Sequence, residues 1–188
     1  MENLPPQFVP NASPIAPEPV KISITLPTNA YFLSGIRDFT ISMTKNMTGF
    51  SDQWAFRFQS VVDELCNNAI EHGSAPGQEV KITFLNTPGQ SLEIIVEDTG
   101  TGPNKLNAQQ MRELFQKQKQ LVQTQFLGLR GRGLAKIVSE WTDELIFEDR
   151  EGGGLRIRVK KYLNRGDVTT PQVVNTIRLN SPMVASVS

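Results

Sequence analysis

Glu64, Asn68 and His72 stand four residues apart, so any helix carrying them presents a carboxylate, an amide and an imidazole on one side. On a wheel of 100° per residue the three fall within about 80° of each other. Val61, Leu65, Phe58, Ala69, Val62 and Ala55 fill the adjoining arc of about 120°. The polar row therefore follows one margin of a buried stripe, where a core meets a cleft. Asp63 and Asn67 repeat the spacing on the opposite, more solvated flank. A helix with polar flanks explains the same alignment without chemistry, so the row needs partners elsewhere in the chain.

Two further stretches offer them. Asp98-Thr99-Gly100-Thr101-Gly102 follows an apolar run and sets a carboxylate at the end of a strand. Such a carboxylate accepts a hydrogen bond from an exocyclic amine such as that of adenine. Gly100 and Gly102 lack Cβ atoms, so a flat ligand has room against the backbone. A plain turn uses the same residues for their backbone preferences. Gly128-Leu129-Arg130-Gly131-Arg132-Gly133-Leu134 precedes a helix and offers free N–H groups at its positive end, a setting that attracts phosphate. Arg130 and Arg132 are solvated charges, or either reaches a terminal phosphate. The glycine order fits neither the dinucleotide fingerprint nor a Walker loop.

The elements that must position these groups are legible from periodicity. Residues 21–26 alternate as a strand with one buried face. Phe32, Ile36, Phe39, Met43 and Met47 mark a first amphipathic helix, stopped by Gly49. The helix of the polar row spans 52–72, with Ser51 or Asp52 as N-cap and Gly73 as its end. Residues 80–85 and 92–97 pair as a hairpin. Residues 103–130 read as a glutamine-rich lid with a helix near 107–124 and few strong apolar anchors, loosely held until a ligand orders it. A helix carrying Leu134, Ile137, Val138 and Trp141 follows, then strands at 144–148 and 155–160 around Gly152-Gly153-Gly154. Consecutive helices between hairpin strands predict an α+β fold, a two-layer sandwich with a mainly antiparallel sheet and helices on one face.

Residues 1–19 hold half of the twelve prolines and read as a disordered arm. The domain runs over 20–163, and 164–188 form an extension of unassigned structure with an edge strand or tail near 173–177. Acidic and basic side chains balance at 19 each, which removes the basic excess that nucleic-acid binding needs. No apolar run spans a bilayer and no signal peptide opens the chain, so a cytoplasmic protein is expected. One cysteine, Cys66, and one histidine leave little for a zinc site. Cys66 is read as a core-edge residue.

Together, Glu64…Asn68…His72-Gly73, Asp98-x-Gly100-x-Gly102 and Gly131-x-Gly133-Leu134, in that order, resemble the histidine-kinase-like (Bergerat-fold) ATPase superfamily of DNA gyrase, histidine kinases, the heat-shock chaperone ATPase and the mismatch-repair ATPases. Val62-Asp63-Glu64-Leu65…Asn68-Ala69…His72-Gly73 looks most like the anti-sigma-factor serine/threonine kinases of bacterial partner-switching systems. The resemblance covers about residues 21–163. It implies ATP and Mg²⁺ as cofactors, with Asn68 as the metal ligand and Glu64 as the base that deprotonates a serine or threonine. It implies that Asp98, Gly100 and Gly102 meet the adenosine, and that Gly131, Gly133 and Leu134, with Arg130 or Arg132, meet the phosphates. His72 is a supporting or packing residue. The implied partners are a STAS-domain antagonist, as substrate, and a sigma factor as a further candidate. A homodimer is among the open assembly states. Two alternatives stand beside this: an ATP-binding partner-switch module without efficient transfer, and a detached histidine-kinase-type catalytic domain. Pro103 and the length of the lid depart from the subfamily pattern.

Overall fold

The structure, a computed structural model, describes residues 17–124 and 133–168. The Pro-rich arm up to residue 16, the stretch 125–132 and the expected strand near 173–177 lie outside the described residues.

Five strands form one sheet in the order β1-β2-β3-β5-β4, every neighbouring pair antiparallel. They are β1 (Val20–Pro27), β2 (Glu79–Thr87), β3 (Ser91–Glu97), β4 (Glu144–Asp149) and β5 (Leu155–Tyr162). Alternation decides the two faces. Ile82, Phe84, Ile94, Val96, Ile157 and Val159 point to the covered face, and all are at most 5% exposed. The opposite face carries charged residues in register, including a row Lys81–Glu97–Arg156–Glu148 running across four strands. Glu97 in that row meets Lys81 at 3.6 Å and Arg156 at 2.8 Å. Burial acts against its charge, yet these cations and Arg150 hold its carboxyl below the usual range.

Helices fill the covered face. A short 3-10 turn (Ala30–Phe32) leads into α1 (Leu33–Met43), which a π-helical turn extends to Thr48. The extension ends at Gly49, whose φ of 87° needs a residue without a Cβ. Next comes α2 (Asp52–Asn68), extended through Gly73 by a second π-helical turn. Its stripe of Ala55, Phe58, Val61, Val62 and Leu65 is at most 1% exposed. Ser51 is the N-cap residue but makes no side-chain cap bond. Instead Phe50, Trp54 and Phe58 form an aromatic cluster with centroids 5.1–5.9 Å apart.

Residues beyond 163 join this packing, so the compact part passes the boundary read from the sequence. A 3-10 turn (Arg165–Asp167) follows β5, and Asp167 accepts a hydrogen bond from Trp54 Nε1 at 2.7 Å. The Ser51 N–H donates to the Asp167 carbonyl, and Phe50 bridges Val168. The lid region contains α3 (Ala108–Thr124). Its Ala108, Met111 and Phe115 are buried in the core cluster, so more apolar anchors hold it than its glutamine-rich sequence suggested. A π-helical turn (Leu134–Val138) then runs into α4 (Ser139–Trp141).

Candidate functional site

A cavity of about 400 Å³ opens between the end of α2, the end of β3, α3 and Leu134, within the size range of small-ligand pockets. Glu64, Asn68 and Asp98 all line it. The first two come from successive turns of α2, one of which buries Leu65 on the core side. Asn68 Nδ2 lies 3.4 Å from Glu64 Oε1, and among the described residues the Asn68 amide oxygen has no hydrogen-bond partner. Asp63 faces away from the cavity and pairs with Arg37 at 2.7 Å. Burial pushes the Glu64 carboxyl above its ordinary range, against bonds from Asn68 and the Leu134 N–H and together with the nearby Asp63 and Glu71 charges. A carboxylate raised in this way is the better proton acceptor near neutral pH.

Asp98 continues the line of β3. Its N–H donates to the Leu155 carbonyl at 3.0 Å. Its Oδ1 accepts from the Gly100 and Leu155 N–H groups at 2.8 and 3.0 Å, and Arg150 Nη1 donates to its carbonyl. One carboxylate oxygen is thus spent on fixing the side chain, while Oδ2 rests against Gly73. Burial raises the Asp98 carboxyl despite the two N–H bonds and the Arg150 charge.

The glycines do a different job from the one expected of them. Gly100 has φ 64°, and a Cβ there would meet the backbone of Gly154. A Cβ at Gly102 would meet the His72 carbonyl, and Gly102 N–H donates to the Gly73 carbonyl at 3.1 Å. At both positions the room read as space for a ligand is filled by the protein's own backbone. The helix ends at Gly73 as expected, with no positive φ there. A side chain there would strike the Asp98 carboxylate. These close approaches lock the end of the polar-row helix to the Asp98 loop. Hydroxyls reinforce the joint: Thr99 N–H and Thr99 Oγ1 bond Ser74 Oγ at 3.0 and 3.1 Å, and the Ala75 N–H donates to Thr101 Oγ1 at 3.0 Å.

His72 lines the cavity, but its side chain is half exposed and 3.9 Å from Glu71, so it is not a packing residue. Leu134 lines the cavity as well, and Gly133 touches the Glu64 carboxylate. Arg130, Gly131 and Arg132 lie outside the described residues. Sequence reasoning missed the wall facing Asn68 and Asp98: Leu106, Met111, Leu114 and Gln118. Met111, Leu114 and Gln118 recur at helical spacing, the signal that would have found them.

The residues present fit a magnesium ion in one way. Among the described residues no cluster of three or more His, Cys, Asp or Glu exists to hold a metal alone. The Asn68 amide oxygen beside the cavity, without a partner among the described residues, matches an ion that takes most of its ligands from phosphates and water. Among the described residues no helix is long and apolar enough to cross a membrane. Residues 27–161 match the model of a protein family described as the histidine kinase-like ATPase domain. No curated protein matches the chain.

Proposed function

Because this chain belongs to the histidine kinase-like ATPase domain family, an ATP-binding family, we propose that it is a serine/threonine protein kinase of the anti-sigma type. Its substrate is a STAS-domain antagonist in a partner-switching system, with a sigma factor as a second partner. The observation that carries the reading is the convergence of Glu64, Asn68 and Asp98 on one cavity.

The roles follow from the chemistry of each group. Asp98 offers Oδ2, a pure acceptor, to the exocyclic amine of adenine. Asn68 would hold Mg²⁺ through its amide oxygen, and the ion would neutralise phosphate charge. Glu64 accepts the proton of the attacking serine or threonine hydroxyl while the phosphoryl group passes to that oxygen and ADP departs. The N–H groups at Gly133 and Leu134 stabilise phosphate oxygens as the helix terminus does for any anion. Little covalent work is asked of the protein, since phosphoryl transfer depends mainly on positioning and charge.

The test is single-turnover transfer from γ-labelled ATP to the STAS partner captured from native cytosol on the ATP-loaded chain. Label on a serine or threonine of that partner is the expected result. ATP binding without transfer to it would leave a partner-switch module instead, and failure to bind ATP would end the reading.

A further inference from the structure

α3 carries a cap of its own. Asn107 Oδ1 accepts from the Gln110 N–H at 2.8 Å, and Gln110 Oε1 accepts from the Asn107 N–H at 3.0 Å, a capping box built within the first turn. A further bond comes from another element. The Ala108 N–H donates to Asp149 Oδ1 at 2.7 Å, 41 residues later in the chain. Asp149 ends β4, and the two-residue period of Leu145, Phe147 and Asp149 turns its side chain to the helix side of the sheet. The hairpin that begins there also holds Asp98. Arg150 Nη1 donates to the Asp98 carbonyl, and the Leu155 N–H donates to Asp98 Oδ1 at 3.0 Å. Gly154, at φ 92°, stands so close that a Cβ would strike the same carbonyl. The turn itself is closed by the Arg150 N–H on the Gly154 carbonyl at 3.0 Å and the Gly153 N–H on the Arg150 carbonyl at 3.1 Å.

We propose that Asp149 is a positioning residue for the base of the bound nucleotide, setting through this one hairpin the spacing between Asp98 and the α3 wall of the cavity. The identity of the ligand rests on the kinase reading above; the hairpin contacts do not. α3 supplies Met111, Leu114 and Gln118 to that wall, and Asn104 and Leu106 line the cavity just before its first turn. The middle of α3 is held to β4 by Arg112 Nη1 on the Phe147 carbonyl at 3.3 Å and by the Phe115–Phe147 ring contact. Asp149 acts one turn earlier, at the end that leads back to Leu106 and Asn104. Its side chain is exposed, so its worth lies in the tie and not in the core. A flat base sits between the carboxylate that reads its edge and the apolar side chains that cover its face. Contacts of that kind are lost steeply as a gap opens, so the base is gripped only while both sides keep their spacing.

The tie is tested first without ligand. In ¹⁵N-labelled full-length chain, the Ala108 amide should exchange about fivefold faster in Asp149→Ala than in wild type. Unchanged exchange would overturn the tie. Calorimetry with ADP then tests the role. Asp149→Ala should bind ADP about threefold to tenfold more weakly than wild type. Asp149→Asn keeps an accepting oxygen while losing the charge, and should stay within about twofold of wild type. Asn107→Ala takes from α3 a cap of comparable worth but leaves the hairpin tie, and should also stay within about twofold. A loss in either of these as large as in Asp149→Ala would overturn the role, because charge or helix stability would then govern binding. ADP bound equally by wild type and Asp149→Ala would overturn the role and leave the proposed function standing. If wild type binds no ADP, the proposed function and this role fall together.

Discussion

Replacing Asp98 by asparagine should change what the cavity reads while leaving the fold alone. The side chain is pinned through one oxygen, Oδ1, which accepts from the Gly100 and Leu155 N–H groups at 2.8 and 3.0 Å. Asparagine keeps that oxygen and its bonds, so its amide nitrogen must occupy the Oδ2 position. There it presents two donors to the adenine amine, itself a donor. A hydrogen bond to a charged acceptor is worth about 1.5–3 kcal/mol, which is about a 10- to 150-fold loss of ATP affinity at 1.4 kcal/mol per tenfold. Stability should move the other way or not at all. Burial raises the Asp98 carboxyl above its ordinary range, so its ionised form counts against the folded state once pH exceeds the unfolded value, and asparagine carries no such cost. Calorimetry with ADP and with inosine diphosphate completes the assay, because hypoxanthine offers a carbonyl where adenine has its amine. The wild type should prefer ADP, and Asp98→Asn should narrow or reverse that preference. Unchanged ATP affinity, or equal losses for both bases, would refute the assignment.

Glu64→Gln should still bind ATP but lose phosphotransfer by about 10²–10⁴-fold, the usual worth of a general base. Asp63→Asn should leave transfer intact, because Asp63 pairs with Arg37 and not with the cavity; equal damage from the two in single-turnover assays would misplace the active margin. Asn68→Ala should weaken ATP binding chiefly when Mg²⁺ is present, measured by titration with and without chelator. Arg156→Met removes the nearest cation from Glu97, whose folded carboxyl lies below its ordinary value. The stabilisation is complete above the unfolded carboxylate range and is lost as pH falls through the lower folded value. Denaturant melts should therefore show a stability gap from wild type of about 1 kcal/mol at neutral pH that closes on acidification.

Strand and helix positions were legible because each element has one covered side, and the period of its apolar residues shows it. Residues 21–26 and 80–85 alternate, and α2 repeats every turn. The helix in the lid was placed within a residue or so by Met111 and Phe115. Sheet order was less accessible. Nothing local in 155–160 says that this strand lies beside β3 as well as β4, since that choice depends on packing across the whole domain. The site was legible where chemistry fixes residue type, at Glu64, Asn68 and Asp98. It was misread at Gly100 and Gly102, because a missing Cβ looks the same in sequence whether a ligand or the chain's own backbone takes its place. The apolar wall from α3 was hidden among glutamines.

Trp54 Nε1 finds its acceptor in Asp167, 113 positions later, and Lys161 stands over the same indole at 5.1 Å while pairing with Asp143 and Asp167. The helix that carries Glu64 and Asn68 is therefore tied down at its opposite end by the last part of the domain to leave the ribosome. A nascent chain of 160 residues holds every site residue named above, yet the first turn of its α2 still lacks the Asp167 acceptor of Trp54. Contacts of such long sequence separation form late and slow folding. Nucleotide binding should accordingly appear in a series of C-terminal truncations only once Asp167 is included, as a step and not a gradual rise.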